Sequence, residues 1–414
     1  MEAILFLLLM PYFALILFLC IRLYFPKKYP PEDSIDTDGR LAIVVACKNE
    51  EDNLPLLFSS IERQHSMPKE IIFVDDNSTD NTFAILLDFA KKLPNVIVLQ
   101  SPGNGKKAAL IEGVKHCTAK YVLFTDADCI LPDEYCLNAK IFLTTHSVDM
   151  LLGGVKLHYL SSDSAKKSNN ENLHSDEKAT STYSSDTSSA GDFSRKTGIS
   201  DFALNPLKAF EILDLGSLQA VSAGSAIMGC PIMCNGANMI VRRDIYLEHI
   251  SGIRTDIPSG DDMFMLHNIK AANGKIFYLF RPELIISTRG NDNPLSFFTQ
   301  RKRWIGKLPA YTDKFTVVTA TITAVTNIML TALYIASIFN SGFLLMAAMA
   351  YIIKLIVDCI AIIPYLKTIN KRNLLYYMPL MSIFYPFYVT FTGIVSVISF
   401  VIKNNKTTKI RMGK

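Results

Sequence analysis

An apolar run that ends in two carboxylates is the strongest chemical signal in this 414-residue chain. Residues 121–125 read Tyr-Val-Leu-Phe-Thr and lead directly into Asp126-Ala-Asp128. Ligands of open α/β sheets bind beyond the carboxyl ends of the strands, so acidic side chains at that position meet a substrate. Carboxylates bind Mg²⁺ or Mn²⁺ together with phosphate oxygens, which makes Asp126 and Asp128 candidate metal ligands. A solvated acidic turn is the structural alternative.

The stretches around these carboxylates alternate between strand and helix patterns. Strands are predicted where short apolar runs occur, and helices where the apolar residues recur with helical spacing. This alternation predicts an α/β fold, a doubly wound and mostly parallel sheet. The predicted strands are 41–48, 70–76, 95–100 and 121–126, and the predicted helices between them are 53–64, 78–92 and one that opens at Gly103-Asn-Gly105.

Three further polar segments follow later in the chain. Gly236-Ala-Asn238 predicts a turn before a strand, and Asp261-Asp262 opens a helix. Acidic residues in a first helical turn are also favoured by the helix dipole alone, so a purely structural role is the alternative there. Gln300-Arg-Lys-Arg303-Trp304 lies in a basic, aromatic segment suited to a membrane interface.

Half of the residues are hydrophobic, and the excess lies at the two ends of the chain. A span needs about 20 apolar residues. The charges that flank the first stretch favour a retained membrane anchor over a cleaved signal peptide. The same charges predict that the N-terminus lies outside and that the following domain lies in the cytoplasm. Pro379 and Pro386 leave open a broken or re-entrant pair of helices in the last stretch. Lys354 and Asp358 lie inside the third span, where ionisable groups are functional candidates, but their i,i+4 spacing favours an ion pair that satisfies itself. The predicted spans are 3–25, 316–339, 343–366 and 374–402.

Other classes of site find little support. The net charge of +4 is small and spread out, so no nucleic-acid partner is expected. Eight cysteines without a paired CxxC spacing are expected to be reduced, buried thiols. Residues 161–200 are too polar to bury a core, so a disordered insertion is predicted there.

Seven short motifs occur in an order and spacing that resemble the inverting family 2 glycosyltransferases with a GT-A fold, over about residues 40–305. Each motif is modest, but the full succession is specific. The motifs are Val45-Ala-Cys-Lys-Asn-Glu50, Val74-Asp-Asp-Asn-Ser-Thr-Asp80, Gly105-Lys-Lys-Ala-Ala-Leu110, Thr125-Asp-Ala-Asp128, Gly236-Ala-Asn238, Gly260-Asp-Asp262 and Gln300-Arg-Lys-Arg303-Trp304.

The resemblance implies transfer of a sugar from a nucleotide donor, with UDP as the habitual nucleotide and Mg²⁺ or Mn²⁺ as cofactor. It implies that Asp262 is the general base, with Asp261 beside it where the family usually has Glu. Asp128 and Asp126 hold the metal. Donor binding is implied for Ala46, Lys48, Glu50, Asp76, Lys106 and Asp126, with Glu50 and Asp76 at base and ribose; acceptor or diphosphate contact is implied for Gly236, Asn238, Gln300, Arg303 and Trp304.

We therefore expect a multi-pass enzyme of a bacterial inner membrane, of hexosyl- or N-acetylhexosaminyl-transferase type, with a lipid or polysaccharide acceptor. A nucleotide-sugar-binding component of a membrane assembly or export system, without catalysis, is the alternative because fold does not imply activity. Lys48 stands where Arg is commoner, which keeps the cation but loses bidentate geometry. The expected parts are an anchor (1–26), a cytoplasmic catalytic domain (40–292), an interface segment (293–314), membrane helices (316–402) and a basic tail (403–414).

Overall fold

The computed structural model describes residues 2–25, 40–159, 205–254, 257 and 259–412. The predicted disordered insertion at 161–200 lies outside the described residues. The side chains of the basic tail also lie outside them, because the description of side chains ends at residue 399.

A seven-stranded sheet forms the centre of the domain, in the order β3-β2-β1-β4-β7-β5-β8. All neighbouring strands are parallel except β7, which runs antiparallel to both β4 and β5. The mostly parallel sheet is therefore confirmed. The strands are β1 (Leu41–Cys47), β2 (Glu70–Asp75), β3 (Val96–Gln100), β4 (Tyr121–Asp126), β5 (Met150–Gly153), β7 (Met239–Arg242) and β8 (Ile276–Leu279).

Two short strands, β6 (Val155–His158) and β9 (Ile286–Arg289), form a separate parallel pair. Helices cover the large sheet, and both of its faces are buried, which is why β1 and β4 read as continuous apolar runs. The helices of the domain are α2 (Leu54–Glu62), α3 (Thr82–Ala90), α4 (Lys106–His116), α5 (Tyr135–Thr145), α6 (Pro206–Ile227), α7 (Arg243–Glu248), α8 (Asp261–Ala271) and α9 (Pro294–Ile305).

Three long apolar helices follow the domain: α10 (Lys314–Phe339), α11 (Leu344–Thr368) and α12 (Met378–Met412). Within the part of the chain that the structure describes, the segments long and apolar enough to cross a membrane are Lys314–Phe339, Ser341–Thr368 and Arg372–Ser399. The broken or re-entrant pair is not found, because α12 runs unbroken through Pro386. Neighbouring helices in a membrane can compensate the hydrogen bond that proline removes.

The N-terminal helix α1 (Glu2–Cys20) is shorter than these three and packs on α6 and α11. Its approach to α6 is close: a Cβ on Gly224 would lie 1.9 Å from the Leu19 carbonyl oxygen. Glycine at 224 is therefore what allows the two backbones to touch.

The predicted pairing of Lys354 with Asp358 is confirmed, since the Lys354 ammonium contacts the Asp358 carboxylate within α11. The Tyr12 hydroxyl of α1 donates a hydrogen bond to the same carboxylate at 3.1 Å. These contacts satisfy both charges inside the helix bundle.

Candidate functional site

The carboxyl ends of β2, β1 and β4 open onto one cleft. In the parallel register, Cys47 lies beside Asp75 and Ala46 lies beside Asp126. The acidic residues that end β2 and β4 therefore flank the end of β1, at the edge where open α/β sheets bind ligands.

The loops after β1 and β2 brace each other across this cleft. Asn49 and Asn77 adopt the left-handed conformation, at φ 56° and 55°, which Asn tolerates better than most residues. The Asn49 N–H donates to Ser78 Oγ at 3.0 Å, and the Glu50 N–H donates to Thr82 Oγ1 at 2.7 Å. These hydrogen bonds hold the backbone that carries Glu50 next to the second loop.

The Glu50 carboxylate belongs to the acidic part of the cleft. Burial raises its pKa, a hydrogen bond from Asn53 at 2.7 Å opposes that shift, and the charges of Asp128 and Asp126 raise it further. Glu50 therefore lies close enough to both strand-end carboxylates to feel their charge, although 76 residues separate it from Asp126.

Asp75 and Asp76, at the end of β2, are both buried but use their oxygens differently. Asp76 accepts the Gly105 N–H at 2.7 Å and pairs with Lys48 at 3.4 Å. Asp75 accepts the Ser78 N–H at 3.2 Å through Oδ2, whereas its buried Oδ1 has no partner within the described part of the chain. An unpaired buried oxygen here is available to a ligand donor.

Asp126 and Asp128 lie together, with a cation on one and a hydroxyl on the other. Lys106, at the start of α4, contacts Asp126, and Thr288 of β9 donates to Asp128 at 3.2 Å. Burial raises the pKa of Asp128, and so does the charge of Asp126, while the Thr288 hydrogen bond lowers it. Two acidic groups in this position favour a cation between them.

The pair fits a hard divalent cation that shares its ligands with a substrate. Among the described residues no group of three or more His, Cys, Asp or Glu side chains is arranged to hold a metal. Mg²⁺ is commonly held by one or two carboxylates plus substrate phosphates, and Asp126 and Asp128 supply such a set.

Lys106 connects these carboxylates with the acidic start of α8. Burial of its ammonium lowers the pKa, but Asp126 and Asp261 outweigh burial and raise it, with a further contribution from Asp262. The strand-end carboxylates and the acidic pair Asp261-Asp262 therefore face the same cation across one cleft, although about 135 residues separate them in the chain.

Backbone amides and one lysine surround Asp262. Its Oδ2 accepts the Gly236 N–H at 3.1 Å, and its Oδ1 accepts the Met263 N–H at 2.8 Å. Burial raises the pKa of Asp262, the charge of Asp261 raises it further, and Lys307 lowers it. Lys307 lies against this turn: a Cβ on Gly260 would come within 3.5 Å of its ammonium nitrogen.

Asn238, for which contact with acceptor or diphosphate is predicted, makes its side-chain hydrogen bonds inside the protein. Its side chain is buried in the core, where Oδ1 accepts the Tyr135 hydroxyl at 2.6 Å. Its amide donates to the carbonyls of Gly154 and Leu284, each at 2.7 Å. With these bonds made inside the protein, the Asn238 side chain ties β7 to its surroundings and positions Gly236.

The segment from Gln300 to Trp304 lies on α9, which begins at Pro294 after the N-cap Asn293. Arg303 is exposed and Trp304 is half-buried, so both present surface to solvent. Gln300 is engaged within the protein: its Oε1 accepts from Asn291 at 3.3 Å and from Arg301 at 2.6 Å.

Arg301, which the motif leaves unspecified, holds this helix in place. Its guanidinium pairs with Asp214 of α6 at 2.7 Å, and both side chains are buried. The same guanidinium lies 4.7 Å from the Phe297 ring centre and 4.2 Å from that of Trp304. Arg301 therefore connects the Trp304 ring to α6.

Sequence reasoning missed four residues of this region: Thr288, Lys307, Arg301 and Asp214. For two of these residues the sequence does carry a signal. Asp214 is an acid within the largely apolar 22-residue helix α6, and Lys307 continues the basic cluster three residues after Trp304. Thr288 had no signal, because the long-range bridge between Ile130 and its neighbour Ser287 is what brings it near Asp128.

This sheet, with its acidic strand end and a second acidic turn across the cleft, is a domain of GT-A type. A mannosyltransferase from Pyrobaculum calidifontis, solved with GDP-mannose and Mn²⁺, superposes with a TM-score of 0.52 at 16% identity, covering 95% of this chain and 98% of that one. At this level of identity the likeness concerns the fold.

Sequence comparison points to the same class of protein. The glycosyl transferase family 2 model matches residues 42–209 of this chain. A poly-beta-1,6-N-acetyl-D-glucosamine synthase of Staphylococcus epidermidis is 35% identical over 94 residues, 23% of each chain. A poly(ribitol-phosphate) beta-glucosyltransferase of Bacillus spizizenii is 34% identical over 122 residues, 28% of this chain. The matched segments span 23% and 19% of these two relatives.

Proposed function

We propose that this protein transfers a sugar from a nucleotide donor, UDP by family habit, to a lipid or growing glycan at the membrane, with inversion and with metal assistance. The observation that carries the proposal is the position of Lys106, which contacts Asp126 and feels the charges of Asp261 and Asp262. A donor site and a base on opposite sides of one cleft are what a direct displacement requires.

The donor side of the cleft consists of the loops after β1, β2 and β4. The unpaired Asp75 oxygen joins Glu50 and Asp76 as candidates to bind base and ribose. Asp126 and Asp128 would hold Mg²⁺ or Mn²⁺, which when bound neutralises the diphosphate and its growing negative charge. Lys106 adds a fixed cation on the same side, and Lys48 and Ala46 line the strand end.

On the acceptor side, Asp262 takes the proton from the attacking hydroxyl. Its raised pKa suits this task, because a base works best when its pKa is near the operating pH. The Gly236 and Met263 amides orient its carboxylate, and the negative charge of Asp261 helps to raise its pKa. The proton thus moves from the acceptor oxygen to an Asp262 oxygen.

The membrane-proximal helix α9 would complete the acceptor side. Arg303 and Lys307 offset negative charge on the leaving diphosphate or on the acceptor, and Trp304 offers a flat face to a sugar ring. We propose that residues 40–292 are the cytoplasmic catalytic domain, that α1 anchors the chain, and that the acceptor arrives from the bilayer beside α10–α12.

The proposal is tested by incubating membranes that contain the protein with a panel of labelled nucleotide sugars and then extracting lipid and insoluble polymer. We expect label in one of these fractions from one donor, and at least about 100-fold less from the Asp262→Asn variant inserted at equal level. Donor binding by calorimetry without turnover on any acceptor would favour the non-catalytic alternative.

A further inference from the structure

A cavity of about 240 Å³ lies beside the membrane helices, apart from the cleft. The 3-10 turn that follows α1 (Ile21–Tyr24), the end of α6 and the last turn of α11 form its walls, through Leu23, Tyr24, Ile227 and Lys367, with Phe280 beyond β8. Its volume is several times that of one water molecule, about 30 Å³.

The cavity is at the domain end of the bundle. Tyr365, two residues before Lys367, donates to the Val155 carbonyl at 3.0 Å and stacks on Phe280, so this end of α11 touches the domain. The end of α1 leads into the same domain at β1. A cavity between these two helix ends therefore lies at the level where lipid headgroups meet the protein.

Among the polar groups that line the cavity, the Lys367 ammonium is the charge that an anionic ligand would meet. Pro364 has no N–H, so the Ile360 carbonyl loses its helical partner, and the Tyr24 hydroxyl donates to that carbonyl at 2.6 Å. This bond fixes the Tyr24 ring, and the Lys367 ammonium lies 6.0 Å from the ring centre. Among the described ion pairs none involves Lys367, and its side chain is exposed.

The turn that follows α1 carries exposed apolar side chains next in sequence to the lining residues Leu23 and Tyr24. Ile21 and Phe25 are 54% and 72% exposed, and Ile227, which lines the cavity from α6, is 37% exposed. A ligand for this place combines an anionic group for Lys367 with a hydrocarbon chain for these exposed apolar side chains.

We propose that this cavity binds the phosphate headgroup of an anionic bilayer phospholipid, with Lys367 as the cation and the acyl chain along Ile21 and Phe25. The site is separate from the cleft and does not depend on the proposed function. Its role is to seat α1 and α11 against the domain with a lipid between them.

The test uses the full chain in nanodiscs of phosphatidylcholine with a minor share of phosphatidylglycerol, and counts the retained lipids by native mass spectrometry. Wild-type protein should retain phosphatidylglycerol selectively. Lys367→Gln should reduce that retention about five-fold, since one lysine near a membrane surface contributes about 1 kcal/mol. The matched control is Lys314→Gln, which removes an exposed lysine at the domain end of α10, outside the cavity.

A second variant, Ile227→Phe, keeps the charge and fills the cavity, and it should also reduce retention. Equal losses from Lys367→Gln and Lys314→Gln would show general surface attraction and overturn the proposal. Undiminished retention in Ile227→Phe would place the headgroup elsewhere and overturn it too. Inorganic phosphate should not displace the lipid; displacement would identify a simple anion site instead. Thermal unfolding of each variant confirms that the domain is folded.

Discussion

Arg301 of α9 and Asp214 of α6 form an ion pair at 2.7 Å in which both side chains are buried, at 5% and 3% exposure. Burial raises the pKa of Asp214, and the Arg301 charge opposes that shift. This buried ion pair thus attaches α9 to α6.

Removing one partner should destabilise the protein strongly. Asp214→Asn leaves the Arg301 charge buried without compensation, and we expect a loss of about 3–5 kcal/mol in the free energy of unfolding. Thermal unfolding in nanodiscs measures it. Asp88→Asn, which removes one member of an exposed pair with Lys91, is the control and should change nothing measurable. Equal stability of the two variants would contradict a structural role for the pair.

Removing both charges separates stability from positioning. The double variant Asp214→Leu with Arg301→Met should recover most of the stability, because both charges leave the interior together. Turnover should stay low, since Trp304 loses the guanidinium 4.2 Å from its ring. Full recovery of turnover would show that Arg301 contributes to folding alone.

The pH dependence of kcat/KM should report Asp262. A base must be ionised, so activity rises with pH through its pKa, which burial and Asp261 raise above the ordinary aspartate range. Asp261→Asn should move this acidic limb to lower pH, because it removes a neighbouring negative charge. Lys307→Gln should move it to higher pH, because Lys307 lowers the same pKa.

Asp262→Asn should lower turnover by about 10²- to 10⁴-fold, the usual contribution of a general base. If Asp262→Asn kept its turnover while Asp261→Asn lost it, the base would be Asp261 instead.

The Thr288 hydroxyl should tune metal binding through Asp128. Thr288→Val removes the hydrogen bond to Asp128 at 3.2 Å with little change in shape. Loss of such a supporting bond typically costs about 10–100-fold in metal affinity. Mn²⁺ titration in the presence of UDP measures the change. Thr145→Val, on the exposed side of α5, is the control; an unchanged Mn²⁺ affinity in Thr288→Val would argue against metal at Asp128.

Gly224 should be intolerant of a methyl group. Gly224→Ala places a Cβ 1.9 Å from the Leu19 carbonyl oxygen, so α1 and α6 must separate. Overpacking of this kind costs about 1–3 kcal/mol, measurable by thermal unfolding. Gly393→Ala in α12, where a Cβ meets nothing within 4 Å, should be neutral or stabilising. Similar behaviour of the two variants would mean that α1 is not held against α6.

The predicted α/β alternation and the three C-terminal spans agree with the structure, because both depend on local patterns. A buried parallel strand needs a continuous apolar run, and a membrane helix needs about 20 apolar residues, wherever its partners lie. The predicted helix at 53–64 is observed at Leu54–Glu62, for example. The position of Asp126 at a strand end follows from the same reasoning.

The antiparallel strand β7 was not distinguishable from a parallel one, because strand direction depends on the connections around it. Pro386 likewise predicted a break, but α12 continues through it.

By itself, then, the sequence determined which chemical groups this protein carries and which elements carry them, since side-chain identity and hydrophobic period are local properties. Only the tertiary structure decided their partners. It placed Lys106 between Asp126 and Asp261, turned Asn238 into the core and joined Arg301 to Asp214 across 87 residues. Such contacts depend on packing between elements far apart in the chain, and no local pattern encodes them.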